Sequence, residues 1–121
     1  MIDLWLDDMR PAPPGWVHVF NIQSAKLYLQ DRNVRRASLD HDLGACKDCM
    51  GGLTTEEWMA KHNNTQMPNC SHFGTGYDLV CWMEETGFWP KEKPKVHSAN
   101  PAGRFKMQQA IDREWQRRAE R

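Results

Sequence analysis

Short apolar runs alternate along this chain with stretches of helical periodicity, and that alternation confines it to folds built on a parallel sheet. The first run, IDLWL, stops at Asp7-Asp8, as a strand buried on both faces stops at a polar loop. MRPAPPGW follows and excludes a helix, because Pro11, Pro13 and Pro14 remove backbone donors and restrict the residues before them. VHVF at 17–20 is the second strand. Ser24 is then the N-cap of a helix over 25–32, and a third strand from Arg36 to Leu39 leads into SLDHDLG. Further on, Thr75 opens a helix through a capping box with Asp78, and Gly87 stops it. KVHSAN at 95–100 is the fourth strand. A long terminal helix starts at Pro101, with Asn100 as its cap and arginines at its negative pole.

Right-handed crossovers between these strands predict a small three-layer α/β domain of flavodoxin-like build, whose four-stranded parallel sheet has the order 2-1-3-4. A length of 121 residues suits a single domain over 1–121. Formal net charge is zero, so the bulk field gives no strong nucleic-acid signal and any such contact must be local. RNVRR and the terminal arginines read first as a solvated face. The start, MIDLWLDDMR, lacks a basic region followed by an apolar run, and no segment approaches membrane-spanning length. The expectation is a soluble cytoplasmic protein without a membrane partner.

In an open parallel sheet the chemistry collects beyond the carboxyl ends of the strands. Here the first strand ends in Asp7-Asp8 with Arg10 close behind, the third in Asp40-His41-Asp42, and the fourth in His97-Ser98-Ala99-Asn100. Carboxylates converging on one edge repel each other unless a cation sits among them or some stay protonated. Asp7, Asp8 and Asp40 therefore form a candidate site for magnesium or manganese, although any one of them alone could simply cap a loop. His41 and His97 are candidates to take a proton from water and give one to a departing alkoxide, as phosphodiester cleavage requires. His18 lies inside a strand pattern and reads as structural. If residues 40–42 stay extended, His41 points away from Asp40 and Asp42, so the chain must turn there, and Gly44 permits it. Ser98, Asn100 and the backbone donors of Ala102, Gly103 and Arg104 could seat a phosphate, with Arg10 and the Arg104 side chain as charge-assisted partners.

Residues 45–73 break the strand–helix pattern, with only TTEEWMAKH helical in character, and read as an insertion. It holds three of the four cysteines. Cys46 and Cys49 have the spacing at which two thiolates grip one ion, and Cys70 with His72 can complete a tetrahedral zinc site of structural type. A disulfide is the competing reading and leaves His72 without a role. Cys81, in a helical pattern, reads as a buried apolar thiol. Trp16, Trp58 and Trp89 lie in loops or the insertion, where base stacking and simple packing look alike.

Asp7-Asp8 and Asp40 resemble the acidic pair and phosphoacceptor aspartate of response-regulator receiver domains, with Ser98 near the position of their switch hydroxyl. A receiver has a fifth strand followed by a lysine, where this chain has His97-Ser98-Ala99-Asn100. LDDMRPAPPGW, SLDHDLG, TGYDL and VHSANPAGR together are more similar to the divergent receiver-like family proposed to process cyclic phosphates in RNA repair and conflict systems. That resemblance implies a receiver-like fold and a metal-dependent phosphoesterase, a hydrolase whose partner is a phosphate-bearing small molecule or an RNA end. Two other readings stay open: a non-catalytic receiver-like module that binds a phosphate or accepts one on Asp40, and a zinc-braced interaction domain with an incidental acidic edge.

Overall fold

A computed structural model describes residues 1–62 and 69–120, so residues 63–68 of the expected insertion lie outside the described residues. In chain order the elements are β1 (Ile2–Leu6), β2 (Val17–Val19), α1 (Ile22–Gln30), β3 (Val34–Leu39), α2 (Thr55–Lys61), α3 (Gly76–Thr86), β4 (Lys95–Val96) and α4 (Pro101–Ala119). The strands form a four-stranded sheet ordered β2-β1-β3-β4, parallel throughout, as the sequence predicts. No helix among the described residues is long and apolar enough to cross a membrane.

The layering departs from expectation. Leu4 and Leu6 of β1 are fully buried while Trp5 between them is not, so β1 is buried on one face rather than two. Leu6 lies level with Val19 and Leu39, and these side chains share one apolar cluster with Ile22, Ala25 and Leu29 of α1, Leu79, Val80 and Met83 of α3, and Met107, Ala110 and Ile111 of α4. Burial of each large aliphatic there contributes roughly 1.5–3 kcal/mol. All three helices thus pack on one face of the sheet. The reason lies in the handedness of the crossovers. From β2 to β3 and from β3 to β4 the chain steps in the same direction across the sheet, which puts both crossover helices on the same side. Only the β1–β2 connection steps the other way, and there the prolines leave a loop where a covering helix would run. The opposite face keeps Asp3, Trp5, His18, Arg36, Ser38 and Lys95, and among the described elements no helix covers it.

Most local signals hold. Thr75 and Asp78 form the capping box of α3, Gly87 closes it in the left-handed region at φ 80°, and Asn100 caps α4. Helix α1 instead starts earlier than Ser24: Asn21 is its N-cap and accepts the Ser24 N–H, because Ile22 belongs to the buried stripe with Ala25 and Leu29. Strand β3 begins at Val34, ahead of the expected Arg36, since Val34 is part of the core. β4 is cut to Lys95–Val96, because from Ser98 onward the chain turns to cap α4, with the Asn100 N–H donating to Ser98 Oγ. Cys81 is half-buried, and its thiol faces the Tyr77 hydroxyl.

Candidate active site and metal clusters

β1 and β3 end level with each other, Leu6 opposite Leu39, so the residues that follow them meet. The Asp40 N–H donates to Leu6 O at 2.9 Å, and that of His97 to Leu39 O at 3.0 Å, which carries the pairing past the named strands. As a result carboxylate oxygens of Asp7, Asp8 and Asp40 all lie within 4.8 Å of one another. Asp7 and Asp40 are buried and Asp8 half-buried. Two glycines permit this crowding. At Gly44, whose φ is +81°, a β-carbon would stand 3.1 Å from Asp8 Oδ2, and at Gly76 it would overlap the Asp40 carbonyl.

Asp7 is held from every side. Its Oδ1 accepts the Met9 and Arg10 N–H groups, each at 2.8 Å, its Oδ2 meets His97 Nε2 at 3.0 Å, and its carbonyl meets His18 Nε2 at 2.7 Å. His18, stacked on Phe20, thus fixes the Asp7 main chain. His97 is less free than the sequence suggests, because Nδ1 is engaged with Ser38 Oγ at 2.8 Å while its ring lies flat on Trp5, 3.9 Å between centroids. Since a carboxylate only accepts, Nε2 carries the proton and neutral His97 accepts the Ser38 hydroxyl at Nδ1. Burial holds its pKa below the ordinary imidazole value, despite the Asp7 carboxylate that raises it.

The chain does turn after Asp40, and His41 and Asp42 come together: His41 Nδ1 lies 3.0 Å from Asp42 Oδ1. The same oxygen accepts from Asn69 Nδ2 at 2.9 Å and Asn100 Nδ2 at 3.4 Å. Burial would push Asp42 up, yet these hydrogen bonds from His41, Asn69 and Asn100 together bring its pKa below the ordinary carboxylate value. The His41 ring packs against Gly103, where any β-carbon would overlap it, and its Nε2 has no hydrogen-bond partner among the described residues. Asp8 and Asp40 shift the other way. Desolvation raises both, and the neighbouring Asp7 charge adds to it, so two of the three acids resist ionising where they stand.

The predicted phosphate-binding residues divide. Arg10 stands at the rim with Nη1 donating to His97 O at 2.6 Å, and its charge acts on Asp8, Asp40 and His97. Ser98 Oγ and Asn100 Oδ1 accept the N–H groups of Asn100 and Gly103, so Asn100 Oδ1 serves the cap while the Ser98 hydroxyl keeps its proton to donate. The Arg104 N–H is bonded to Asn100 O, and its exposed side chain lies beside Pro101, Phe105 and Gln108. The anion seat expected at the start of α4 is therefore reduced to the N–H of Ala102, because the cap consumes the others.

In the insertion, Cys46, Cys49, Cys70 and His72 come together and could hold a metal ion such as zinc. His72 Nδ1 is 3.4 Å from Cys46 Sγ and 3.3 Å from Cys49 Sγ, close to the ~3.5 Å edge of a tetrahedron with zinc–ligand bonds of about 2.0–2.3 Å. Cys70 Sγ accepts the N–H groups of Cys46 and Phe73; burial opposes ionisation, but these donors bring its thiol down to about 6, suited to a thiolate ligand. A hydrogen bond with the Cys46 sulfur, with burial and the Cys46 charge adding to it, pushes the Cys49 thiol up to about 11. All four cysteines are free thiols, so the disulfide alternative is not what the structure contains.

Sequence reasoning missed three participants. The sequence does not say whether Asp42 faces the site, because an extended strand turns it away from His41; Asn69 carries no motif, and Trp5 sits in an apolar run that reads as core. Only the step from Trp5 to Asp7, the same face two residues on, could have placed that indole beside the site. A family model described as "Cyclic-phosphate processing Receiver domain" matches residues 2–113, which span the strand-end acids and the cysteine cluster alike. No curated protein and no solved structure matches the chain.

Proposed function

The chain belongs to the cyclic-phosphate processing receiver domain family, and on that footing we propose that it hydrolyses a cyclic phosphodiester at the acidic edge of the sheet. The convergence of Asp7, Asp8 and Asp40 carries this reading: oxygen donors alone, two of them with raised pKa values, favour a hard divalent cation such as magnesium or manganese. When bound, such an ion polarises a phosphoryl oxygen and neutralises the acids. Asp7 is the pre-oriented ligand, its carboxylate fixed by Met9, Arg10 and His97.

His41 has the proton-transfer role. Asp42 holds its Nδ1–H, which leaves the Nε2 lone pair to take a proton from the attacking water. As the phosphorus–oxygen bond of the ring breaks, the imidazolium returns that proton to the departing alkoxide, so a cyclic diester and water become a phosphomonoester with an adjacent hydroxyl. His97, with both nitrogens engaged, is a positioning residue for Asp7 rather than the second proton carrier. Arg10 steadies the phosphate with the guanidinium donors that His97 O leaves unused. The test is His41→Gln, which keeps the bulk against Gly103: turnover of cyclic phosphates with magnesium or manganese should fall about 10²–10⁴-fold, and a variant as fast as the parent overturns the assignment.

Asp40 Oδ2 accepts no hydrogen bond among the described residues, and this favours one other reading, in which Asp40 takes a phosphoryl group without turnover. A small phosphodonor would then leave an acid-labile adduct that Asp40→Asn abolishes.

A further inference from the structure

The sheet face that no described helix covers leads into the site, and where it does so it holds a cavity of about 240 Å³ lined by Trp5, Trp16, Arg36, Ser38, Glu92 and Lys95. We propose that this cleft binds a nucleobase, so that the substrate is a nucleoside carrying the cyclic phosphate on its ribose. The assignment rests on the hydrolytic reading for the phosphate and on the cleft itself for the ring.

Three observations point to that occupant. Trp5 and Trp16 meet edge to face, 6.3 Å between centroids at 84°, and form a corner with two aromatic walls. The Trp5 ring is locked there, since its Nε1 donates to Arg10 O at 3.0 Å and His97 covers one side. Around this corner stand groups that suit a polar heterocycle bearing an anion rather than an apolar peptide: the Lys95 amine without a partner among the described residues, the Glu92 carboxylate as an acceptor for ring N–H groups, and the Arg36 guanidinium, ion-paired to Asp3 at 2.6 Å, as a cation 5.0 Å over Trp16. The spacing also fits. Trp5 and Ser38 are cross-strand partners, and Asp7 and Asp40 lie two residues beyond them on the same face, about 6.6 Å along the sheet, the reach of a single nucleoside.

The experiment compares adenosine 2′,3′-cyclic phosphate with base-free glycerol 1,2-cyclic phosphate on the full chain, following intrinsic tryptophan fluorescence without divalent ion so that nothing turns over. The parent should prefer the adenosine ligand by about tenfold or more. Trp16→Ala should abolish that preference and Trp16→Phe should keep it, with melting temperatures confirming that both are folded. A parent indifferent to the base, or a Trp16→Ala protein that discriminates like the parent, overturns the proposal. With magnesium or manganese then added, discrimination by a protein that still hydrolyses neither ligand upholds the cleft and sinks the reaction, whereas hydrolysis of both at equal kcat/KM does the reverse. An oligoribonucleotide with the same cyclic end, run in parallel, tells a free nucleotide from a chain terminus; discrimination through Trp16 on either one supports the cleft.

Discussion

Asp7, Asp8 and Asp40 gather on strand ends that the core holds in place, whereas Cys46, Cys49, Cys70 and His72 gather in a segment whose one described helix, α2, buries no residue. The acids are crowded by the fold: burial and mutual repulsion raise two of them, so the hydrophobic cluster stabilises an arrangement its charges oppose. In the cysteine cluster the order of cause is reversed. There the four side chains have little core to hold them, and a metal bound among them would supply the missing constraint. A site of the first kind would keep its shape while exchanging a cation, as the proposed catalysis requires; one of the second kind, with four protein ligands, would suit a structural metal. One side chain joins the two. Asn69 precedes Cys70 of the cysteine cluster, forms an isolated bridge with Gly44, and donates to Asp42, the partner of His41.

The harshest test of this contrast is Asp40→Asn. Cyclic-phosphate hydrolysis should fall more than about a hundredfold, while the melting temperature in EDTA should rise by a few degrees, because the variant keeps an acceptor for the His41 N–H and loses a charge that the fold disfavours. A drop in that temperature would mean that the core does not strain the acids. Next comes the link. Asn69→Ala should lower kcat about tenfold and move the acid limb of the pH–rate profile upward, since Asp42 loses a donor that holds its pKa down. Zinc content should stay unchanged, and stripping the metal from the parent should reproduce the kinetic defect and open 45–73 to proteolysis. Unchanged kinetics in both cases would separate the two regions.

The smallest effect is the pH dependence of stability. Raised carboxyl pKa values mean that Asp8 and Asp40 bind more protons folded than unfolded. Their contribution is complete below the ordinary value of 3.8 and is lost as pH rises through the folded values. Asp42 has the opposite sign and contributes above 3.8. The melting difference between Asp40→Asn and the parent in EDTA should therefore widen from acid toward neutral pH, and saturating magnesium should reverse it. A difference flat in pH would place the Asp40 charge in solvent.

What could be read in the sequence was local. The caps at Thr75 and Asn100, the stop at Gly87, the cysteine spacing and the acids closing β1 and β3 depend on neighbours a few residues apart, and backbone donors and φ angles enforce such rules wherever the segment ends up. Strand order also followed, since crossover handedness leaves few choices. Tertiary structure alone decided which atoms were already occupied: both nitrogens of His97 by residues 59 and 90 positions away, Asn100 Oδ1 by the cap of α4, and Trp5 by the imidazole it lies against. It also decided that no described helix covers one sheet face, which the prolines allow but only the direction of the remaining crossovers completes. A side chain's chemistry is written in its type, but its availability depends on partners that come within hydrogen-bond range only when distant segments pack.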